Sequence, residues 1–240
     1  MNDIQEQLST LRCFVTVDSD CSYLENHRSR NLVIDPDIDV DTDLLGALLN
    51  NGFRRSGESI YRPHCDDCHA CQSLRVPVNQ FQASRNQRRC YNKNKHLTHR
   101  EHHGGFDEQH YSLYCRYIQQ RHPGSSMEDP SKASFIEFLT SKHVETRFHE
   151  FYLNEQLVAV AVTDHTPLGL SAVYTFFEPE LQHLSLGTYA ILWQIEHCRK
   201  LGLPWLFLGY WIRNCPVMSY KNKFKPAEYF QNNQWKTLTT

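Results

Sequence analysis

The stretch RFHEFYLNEQLVAVAVTDHTPLGLSAVYTFF, residues 147–177, contains three runs rich in β-branched and aromatic residues. The first two runs, at 147–153 and 157–163, are separated by a short polar turn at 154–155, and the third occupies 171–177. Runs of this kind, bounded by turn residues, predict strands that pair in an antiparallel sheet.

Helical patterns flank the three predicted strands. Two precede them between residues 107 and 139, and a third runs from about 187 to 201 before Gly202 and Pro204 end it. WLFLG at 205–209 then predicts one more strand. Helix, helix, three strands, helix, strand is the order of acetyl-CoA-dependent N-acyltransferases. Those enzymes cradle the CoA pyrophosphate in a glycine-rich loop, but the corresponding HLSLGTYA has one glycine, which argues against a CoA site.

The N-terminal part has a different character. Its first 60 or so residues predict short strands and one leucine-striped helix, and FRRSGESIYRP predicts a hairpin that turns at Ser56 and Gly57. Paired glycines follow a basic block near residues 100–106 and indicate a boundary. We predict an α+β fold, with a small Cys-containing α/β module at 1–104 and an acyltransferase-like (GNAT-type) mixed-sheet domain at 105–240.

Composition excludes several classes of protein. In its 240 residues the chain has no stretch of about 18 apolar residues, so a membrane span is not predicted. Its opening, MNDIQEQLSTLRCF, lacks the basic start and apolar core of a secretion signal, which predicts a cytosolic protein. In a reducing compartment, an odd count of nine cysteines argues against a disulfide framework.

Charge is unevenly distributed along the chain. Residues 68–100 contain seven cations and no Asp or Glu, whereas the net charge of the whole chain is −2. The segment SRNQRRCYNKN at 84–94 interleaves cations with Tyr91 and amides, so we expect an anionic ligand, either RNA phosphate or an acidic side chain. A solvated basic helix face is the alternative.

Three closely spaced thiols form the sharpest local motif. Cys65, Cys68 and Cys71 form a C-x2-C-x2-C run that can converge on one ion. A ferredoxin-type run would have a further cysteine where Arg75 stands, so a fourth ligand must come from elsewhere. Cys21 and Cys90 are the candidates by residue type. Either zinc or an iron–sulfur cluster fits the spacing, and free thiols are the alternative.

Several motifs together resemble one family. GFRRSGESIYRPHCDDCHACQSLRVPVNQFQASRNQRR, SAVYTFF, SLGTYAIL, LGYWI and MSYKNKFKPAEYF resemble, in this order, the aminoacyl-tRNA-protein transferases of the N-degron pathway, in their bacterial branch. The resemblance spans nearly the whole chain, from Cys21 to Trp235. It implies transfer of leucine from leucyl-tRNA onto the α-amine of proteins that begin with Asp or Glu. It also implies a C-terminal domain that accepts an aminoacyl ester in place of CoA.

The resemblance further implies a metal or iron–sulfur centre at Cys21, Cys65, Cys68 and Cys71. CSYL at 21–24 offers one thiol where the eukaryotic pattern has two. No cofactor is required for the transfer itself.

The expected reaction needs few chemical groups, because an aminoacyl ester is already activated. We expect Asp164 to hold or deprotonate the attacking amine, and Tyr174 and Tyr210 to supply hydroxyls to the oxyanion or the ribose. The other predicted substrate-binding residues are Arg75 with Arg85 or Arg88 for the acidic side chain, and Tyr189, Trp211 and Lys221. The residues predicted to bind tRNA are Arg89, Lys93, Lys95 and Arg100.

Two alternative functions come from other classes. One is a CoA-dependent N-acetyltransferase with a zinc-stabilised N-terminal module. The other is a non-enzymatic RNA-binding zinc protein, which the basic block and the cysteine run favour. The RNA-binding alternative gives no function to the aromatic residues of the C-terminal half. These residues are expected to line a cavity or to form plain core.

Overall fold

The computed structural model of the chain describes residues 2–121, 128–213 and 215–239, which form seven α-helices and fourteen β-strands. The helices are α1 (Asn2–Thr10), α2 (Thr42–Asn50), α3 (Arg85–Lys93), α4 (Glu108–Arg121), α5 (Lys132–Leu139), α6 (Leu186–Lys200) and α7 (Pro216–Ser219). The strands are β1 (Cys13–Val15), β2 (Ser19–Asp20), β3 (Arg28–Ser29), β4 (Asn31–Ile34), β5 (Arg54–Ser56), β6 (Ser59–Pro63), β7 (Gln72–Pro77), β8 (Thr98–His103), β9 (Thr146–Leu153), β10 (Gln156–Thr166), β11 (Gly169–Phe177), β12 (Trp205–Trp211), β13 (Glu228–Gln231) and β14 (Gln234–Thr237). None of the described helices has both the length and the apolar character needed to span a bilayer.

One mixed sheet of eight strands organises these elements. Its strand order is β14-β13-β7-β12-β11-β10-β9-β8. Strands β11 and β12 run parallel, and the other neighbouring pairs run antiparallel. A second sheet of order β1-β4-β6-β5 and a short β2-β3 pair belong to the N-terminal part.

Strand β10 alternates its side chains between two apolar layers, because successive residues of a strand point to opposite faces. Val160 and Val162 pack on one side with residues of α4 and α5, including Phe135. Ala159 and Ala161 pack on the other side against α6. Helices therefore cover both faces of the sheet here, which explains the unbroken apolar run LVAVAVT.

The predicted α+β class and element order are confirmed. Helices α4 and α5, the antiparallel strands β9, β10 and β11, helix α6 and strand β12 follow one another as the apolar pattern indicates. The hairpin expected to turn at Ser56 and Gly57 is also confirmed, as β5 and β6. Gly57 has a φ of +58°, and a Cβ there would lie 2.3 Å from the backbone oxygen of Glu137, so the turn requires glycine.

The predicted division into 1–104 and 105–240 does not separate two structural units. Strand β7 from the first range lies in the large sheet between β12 and β13, and β8 pairs with β9. The glycine pair that suggested the boundary, Gly104 and Gly105, ends β8 instead. Two strands of the N-terminal range therefore complete the sheet of the C-terminal range.

Candidate active site

Strands β11 and β12 diverge and leave a gap in the sheet. Their parallel ladder covers only 169–171 of β11 and 205–207 of β12, although both strands continue beyond it. The guanidinium of Arg54, from β5, lies in this gap, and its Nη2 donates to the backbone oxygen of Ala172 at 2.9 Å. A side chain of the N-terminal hairpin therefore enters the sheet at the point where backbone pairing stops.

Gly209 of β12 makes room for this guanidinium. Its φ is +77°, and a Cβ at this position would lie 2.5 Å from Cζ of Arg54. Arg54 forms no ion pair with a described residue, and its Nη1 is buried without a hydrogen-bond partner. Burial lowers the pKa of the Arg54 guanidinium. A buried guanidinium with an unused donor is a site for an anion.

Lys221 lies beside Arg54 on the short 3-10 turn Tyr220–Lys223. Its Nζ donates to the backbone oxygen of Tyr210 at 2.7 Å. Burial, followed by the nearby charge of Arg54, lowers the pKa of Lys221 to about 7. A substantial fraction of this side chain is therefore neutral near neutral pH and can accept a proton.

Tyr210 is held by the backbone rather than presented to a ligand. Its hydroxyl lies 3.0 Å from the backbone oxygen of Tyr61 and 3.2 Å from that of Gly52, and the residue is buried. Its single hydroxyl hydrogen is used in these contacts. The structure therefore corrects the predicted catalytic hydroxyl: Tyr210 positions Lys221 through its backbone carbonyl.

Tyr174 stands two residues after Ala172 on β11, among aromatic rings of α4 and α5. The nearest of these ring centroids belong to Phe138 at 5.2 Å and Tyr114 at 6.0 Å. Burial raises the pKa of Tyr174, and the hydroxyls of Tyr117 and Tyr220 add to the shift. Tyr174 thus lies next to the gap with its hydroxyl protonated.

Asp164 does not face this gap. Its two carboxylate oxygens each accept from Arg55 at 2.6 Å, and Oδ1 also accepts from Thr146 Oγ1 at 3.0 Å. Both charged side chains are 1% exposed. These contacts give the Asp164 carboxylate a role in the fold, and its role in holding the attacking amine stays a prediction that they do not support.

Arg75 is likewise occupied by the fold. Its guanidinium lies 3.6 Å from the ring centroid of Trp205 and 4.1 Å from that of Trp235, and it forms a 2.7 Å ion pair with Glu228. These contacts join β7 to β12, β13 and β14. The role of Arg75 in binding an acidic substrate side chain stays a prediction that these contacts do not support.

Two predicted aromatic substrate contacts are core residues. Tyr189, 5% exposed, packs against Phe151 and Tyr91. Trp211, 3% exposed, belongs to the apolar cluster between β7 and α6. Trp211 also lines a cavity of about 370 Å³ with Arg213 and Tyr229, so core packing accounts fully for Tyr189 only.

Helix α3 presents the predicted basic surface. A reciprocal capping box between Ser84 and Gln87 fixes its first turn. Lys93 Nζ donates to the backbone oxygen of His183 at 2.8 Å, and Arg100, on β8, pairs with Glu155 at 2.7 Å. The exposed cations of this region are Arg85, Arg88, Arg89, Lys93, Lys95 and Arg100.

The predicted metal-binding cysteines share one cavity. Cys21, Cys65, Cys68 and Cys71 line a cavity of about 740 Å³ that also reaches Tyr61 and Tyr210. Burial, together with the other three thiols, raises the pKa of Cys71 to about 12. Cys90 instead lies on α3, with its Sγ 3.6 Å from the backbone oxygen of Ser185.

This set of four thiols fits a thiophilic ion by its donor chemistry, since soft sulfur ligands select zinc or iron–sulfur clusters. The nine cysteines form no disulfide, so the sulfurs are available as ligands. The structure does not bring three of these sulfurs within 4.8 Å of one another. The thiols therefore share a cavity without forming closed coordination geometry.

Arg54 is the functional candidate that the sequence analysis missed. Arg54 and Arg55 are neighbours on a strand, so they point to opposite faces. Arg55 meets Asp164, whereas Arg54 meets no described carboxylate. Two adjacent arginines in the strand FRRS are a detectable signal, but only the tertiary structure shows which of them lacks a partner.

Comparison with known proteins gives consistent matches. Residues 19–89 match the family "Arginine-tRNA-protein transferase, N terminus", and residues 109–231 match "Arginine-tRNA-protein transferase, C terminus". An aspartate/glutamate leucyltransferase of Alkalilimnicola ehrlichii is 46% identical over 99% of this chain and 98% of that protein. One from Pseudomonas fluorescens is 45% identical over 97% of this chain and 99% of that protein. Among solved structures, the C-terminal domain of a putative lysylphosphatidylglycerol synthetase from Agrobacterium fabrum aligns with a TM-score of 0.49 and 10% identity, over 81% of this chain and 62% of that one.

Proposed function

This chain belongs to the arginine-tRNA-protein transferase family, and we propose that it transfers leucine from leucyl-tRNA to the α-amino group of proteins that begin with Asp or Glu. Relatives named for this activity match it from end to end at about 45% identity. The product carries an N-terminal leucine and is a degradation signal of the N-degron pathway. At the site, the proposal rests on two side chains that lie in one gap. One is the Arg54 guanidinium, which has no counterion among the described residues, and the other is Lys221, whose pKa is lowered.

The reaction needs a neutral attacking amine. Its nitrogen forms a bond to the leucyl carbonyl carbon, the bond from that carbon to the ribose oxygen breaks, and one proton moves from the amine to the ribose oxygen. A free α-amine has a pKa of about 7.7 to 8.0, so part of it is neutral at cellular pH. The protein mainly has to position both substrates and move this proton.

We assign the proton transfer to Lys221. Its neutral amine accepts the proton that the attacking nitrogen loses, and the resulting ammonium returns the proton to the ribose oxygen. The pKa of about 7 matches both transfers, because a general base is most effective when its pKa is close to the working pH. The contact with the Tyr210 backbone oxygen keeps Nζ beside the gap.

We assign the acceptor's acidic side chain to Arg54. The unused Nη1 gives the guanidinium a donor for a carboxylate, and a forked arginine binds such a group better than lysine does. The acceptor's carboxylate would neutralise a cation that has no described counterion. This assignment replaces Arg75, which pairs with Glu228.

We propose the exposed face of α3 as the tRNA-binding surface. Arg85 and Arg88 join Arg89, Lys93 and Lys95 on this surface, and Arg100 extends it along β8. Exposed lysines and arginines favour phosphate contacts and counterion release, and Arg100 would exchange its exposed ion pair with Glu155 for such a contact.

The cysteine cavity is the place for a metal or iron–sulfur centre, held by Cys21, Cys65, Cys68 and Cys71. Such a centre would supply folding free energy to the segment between β6 and β7. Because Tyr61 and Tyr210 border the same cavity, an ordered segment there would also support the position of Lys221.

The proposal is tested by single-turnover transfer from leucyl-tRNA to peptides that begin with Asp, Glu, Asn or Ala, with arginyl-tRNA as the control donor. We expect mass spectrometry to find a leucine added to the Asp and Glu peptides only. In Arg54→Lys, kcat/KM for the Asp peptide should fall about 10- to 100-fold, because one charge-assisted hydrogen bond contributes about 1.5 to 3 kcal/mol. Transfer of arginine, or the absence of transfer, would contradict the function. Unchanged Asp-over-Asn selectivity in Arg54→Lys would contradict only the assignment of Arg54.

A further inference from the structure

Three histidines form a group on the face of the large sheet that helix α6 covers. His149 lies on β9, His165 at the end of β10 and His197 near the end of α6. One ring nitrogen from each residue lies within 4.8 Å of the other two. Within the described residues this is the one group of three metal-ligating side chains so close together.

The pleat of the sheet and the path of α6 bring these rings together. Ala161 of β10 pairs with His149. His165 lies four positions after Ala161, and residues an even number of positions apart on a strand share a face. Helix α6 crosses this face, where His197 stacks on Trp193 with ring centroids 4.7 Å apart. The ring centroid of His149 lies 5.1 Å from that of His197 and 6.0 Å from that of His165.

Two of the three rings have a nitrogen that the protein leaves unused, whereas His149 has partners at both nitrogens: Nε2 lies 2.8 Å from Thr163 Oγ1, and Nδ1 lies 3.4 Å from His99 Nε2. Nε2 of His165 and Nε2 of His197 are both buried without a hydrogen-bond partner. His149 is 0% exposed. An imidazole nitrogen that is buried without a partner is suited to bind a metal.

The surrounding charges are compatible with a cation. Oε2 of Glu101 lies 3.5 Å from Nδ1 of His149 and can complete a set of three nitrogens and one oxygen. The nearby positive groups are Lys200 and Arg147, and Arg147 is paired with Glu101 at 3.2 Å and Glu145 at 3.0 Å. Two carboxylates therefore offset these two cations beside the histidines.

We propose that His149, His165 and His197 form a binding site for a divalent transition-metal ion, with Zn²⁺ as its preferred occupant and Glu101 beside the fourth position. Zinc bonds to imidazole are about 2.0 to 2.1 Å long, which requires nitrogens about 3.3 Å apart in a tetrahedral site. Binding of the ion therefore requires the three nitrogens, now within 4.8 Å of one another, to move closer together. The ion would join α6 to β9 and β10, independently of the cysteine cavity.

The decisive experiment measures Zn²⁺ bound per chain after equilibrium dialysis against a zinc buffer. The full-length protein is compared with His165→Gln, His197→Gln and the matched control His183→Gln, whose residue is exposed and outside the group. We expect the first two variants to bind one equivalent less than the wild type and the control. Equal zinc content in all four proteins would overturn the proposal.

A second measurement stays informative if a histidine variant fails to fold. In Cys65→Ser/Cys68→Ser/Cys71→Ser, X-ray absorption at the zinc edge should show imidazole nitrogen and oxygen ligands without sulfur. Bound zinc without imidazole scattering, or no bound zinc in the folded variant, would overturn the proposal.

Discussion

Arg54 and Arg55 are adjacent, yet they meet opposite surroundings. Arg55 has a counterion in Asp164 and is 1% exposed, whereas Arg54 reaches the gap between β11 and β12 with Nη1 unpartnered. A buried pair of charges is costly to break, and a buried charge without a partner is costly to keep. The first arrangement stabilises the fold, and for the second we propose that a ligand supplies the missing charge.

Replacement of Asp164 should therefore affect the free energy of unfolding more than the rate of transfer. We expect Asp164→Asn to lower the free energy of unfolding by about 3 to 5 kcal/mol, because it leaves Arg55 buried without its counterion. Urea denaturation measures this change. The double variant Arg55→Met/Asp164→Leu should recover part of the loss. Unaltered stability combined with lost turnover would return Asp164 to the mechanism.

Lys221 should be visible in the pH dependence of transfer. The neutral form is the active one, so kcat/KM should be lost as the pH falls through about 7. The acceptor's α-amine must also be neutral, so log kcat/KM for the wild type should rise with a slope of two at low pH. In Lys221→Arg the side chain stays protonated, so kcat/KM should fall about 100-fold or more, and log kcat/KM should rise at low pH with a slope of one. A slope of two in this variant would exclude Lys221 as the base.

At the scale of elements, the local apolar pattern was sufficient to place a strand or a helix wherever the apolar run was long. Strands β9, β10 and β11 lie within a few residues of the runs read from the sequence, and helix α6 at Leu186–Lys200 matches the predicted 187–201. The pairing of β7 with β12 was not accessible, because it joins residues about 130 positions apart and leaves no local signal. Site residues were missed for the same reason: Arg54 acquires its position from β12, and Asp164 acquires its partner from β5.

Gly209 gives a test of how β12 accommodates Arg54. In Gly209→Ala the new Cβ would lie 2.5 Å from Cζ of Arg54, so the guanidinium must move and transfer to Asp peptides should fall about 10-fold or more. Gly202→Ala is the matched control, since Gly202 also has a positive φ, +70°, but has nothing within 4 Å of its Cβ position. Both variants should lose about 1 kcal/mol of stability from backbone strain. Equal activity in the two variants would contradict the role of the gap.

The salt dependence of tRNA binding should show whether helix α3 contacts phosphates. If its exposed cations bind phosphates, Arg89→Ala should weaken leucyl-tRNA binding and lower the slope of log Kd against log salt by about 1. Lys132→Ala, on α5, is the control and should leave the slope unchanged. Fluorescence anisotropy across a series of salt concentrations measures both. An unchanged slope in Arg89→Ala would remove this residue from the tRNA-binding surface.

At the scale of the whole molecule, the large sheet unites the two predicted domains. Strand β7 separates β12 from β13, and β8 forms the edge beside β9. Arg75 reinforces this union through its ion pair with Glu228 and its contact with the ring of Trp235. The two predicted ranges therefore share one sheet, and we expect them to unfold together.

Cutting the chain at the predicted boundary should consequently destroy both parts. We expect the full-length protein to unfold in urea in one transition, and the fragment 105–240 to show neither a cooperative transition nor dispersed amide resonances. The reason is that β12 and β13 would lose the strand between them. Mixing the fragments 1–104 and 105–240 should restore some transfer activity. A cooperatively folded 105–240 fragment would show that β7 is dispensable.

The central place of β7 also has a consequence for synthesis on the ribosome. This strand is translated about 130 residues before β12, and at typical translation rates it waits on the order of ten seconds for its partner. During that interval Leu74 and Val76, which are buried in the folded chain, lack their partner strand. We therefore expect the yield of active protein to depend on the speed of elongation as well as on stability.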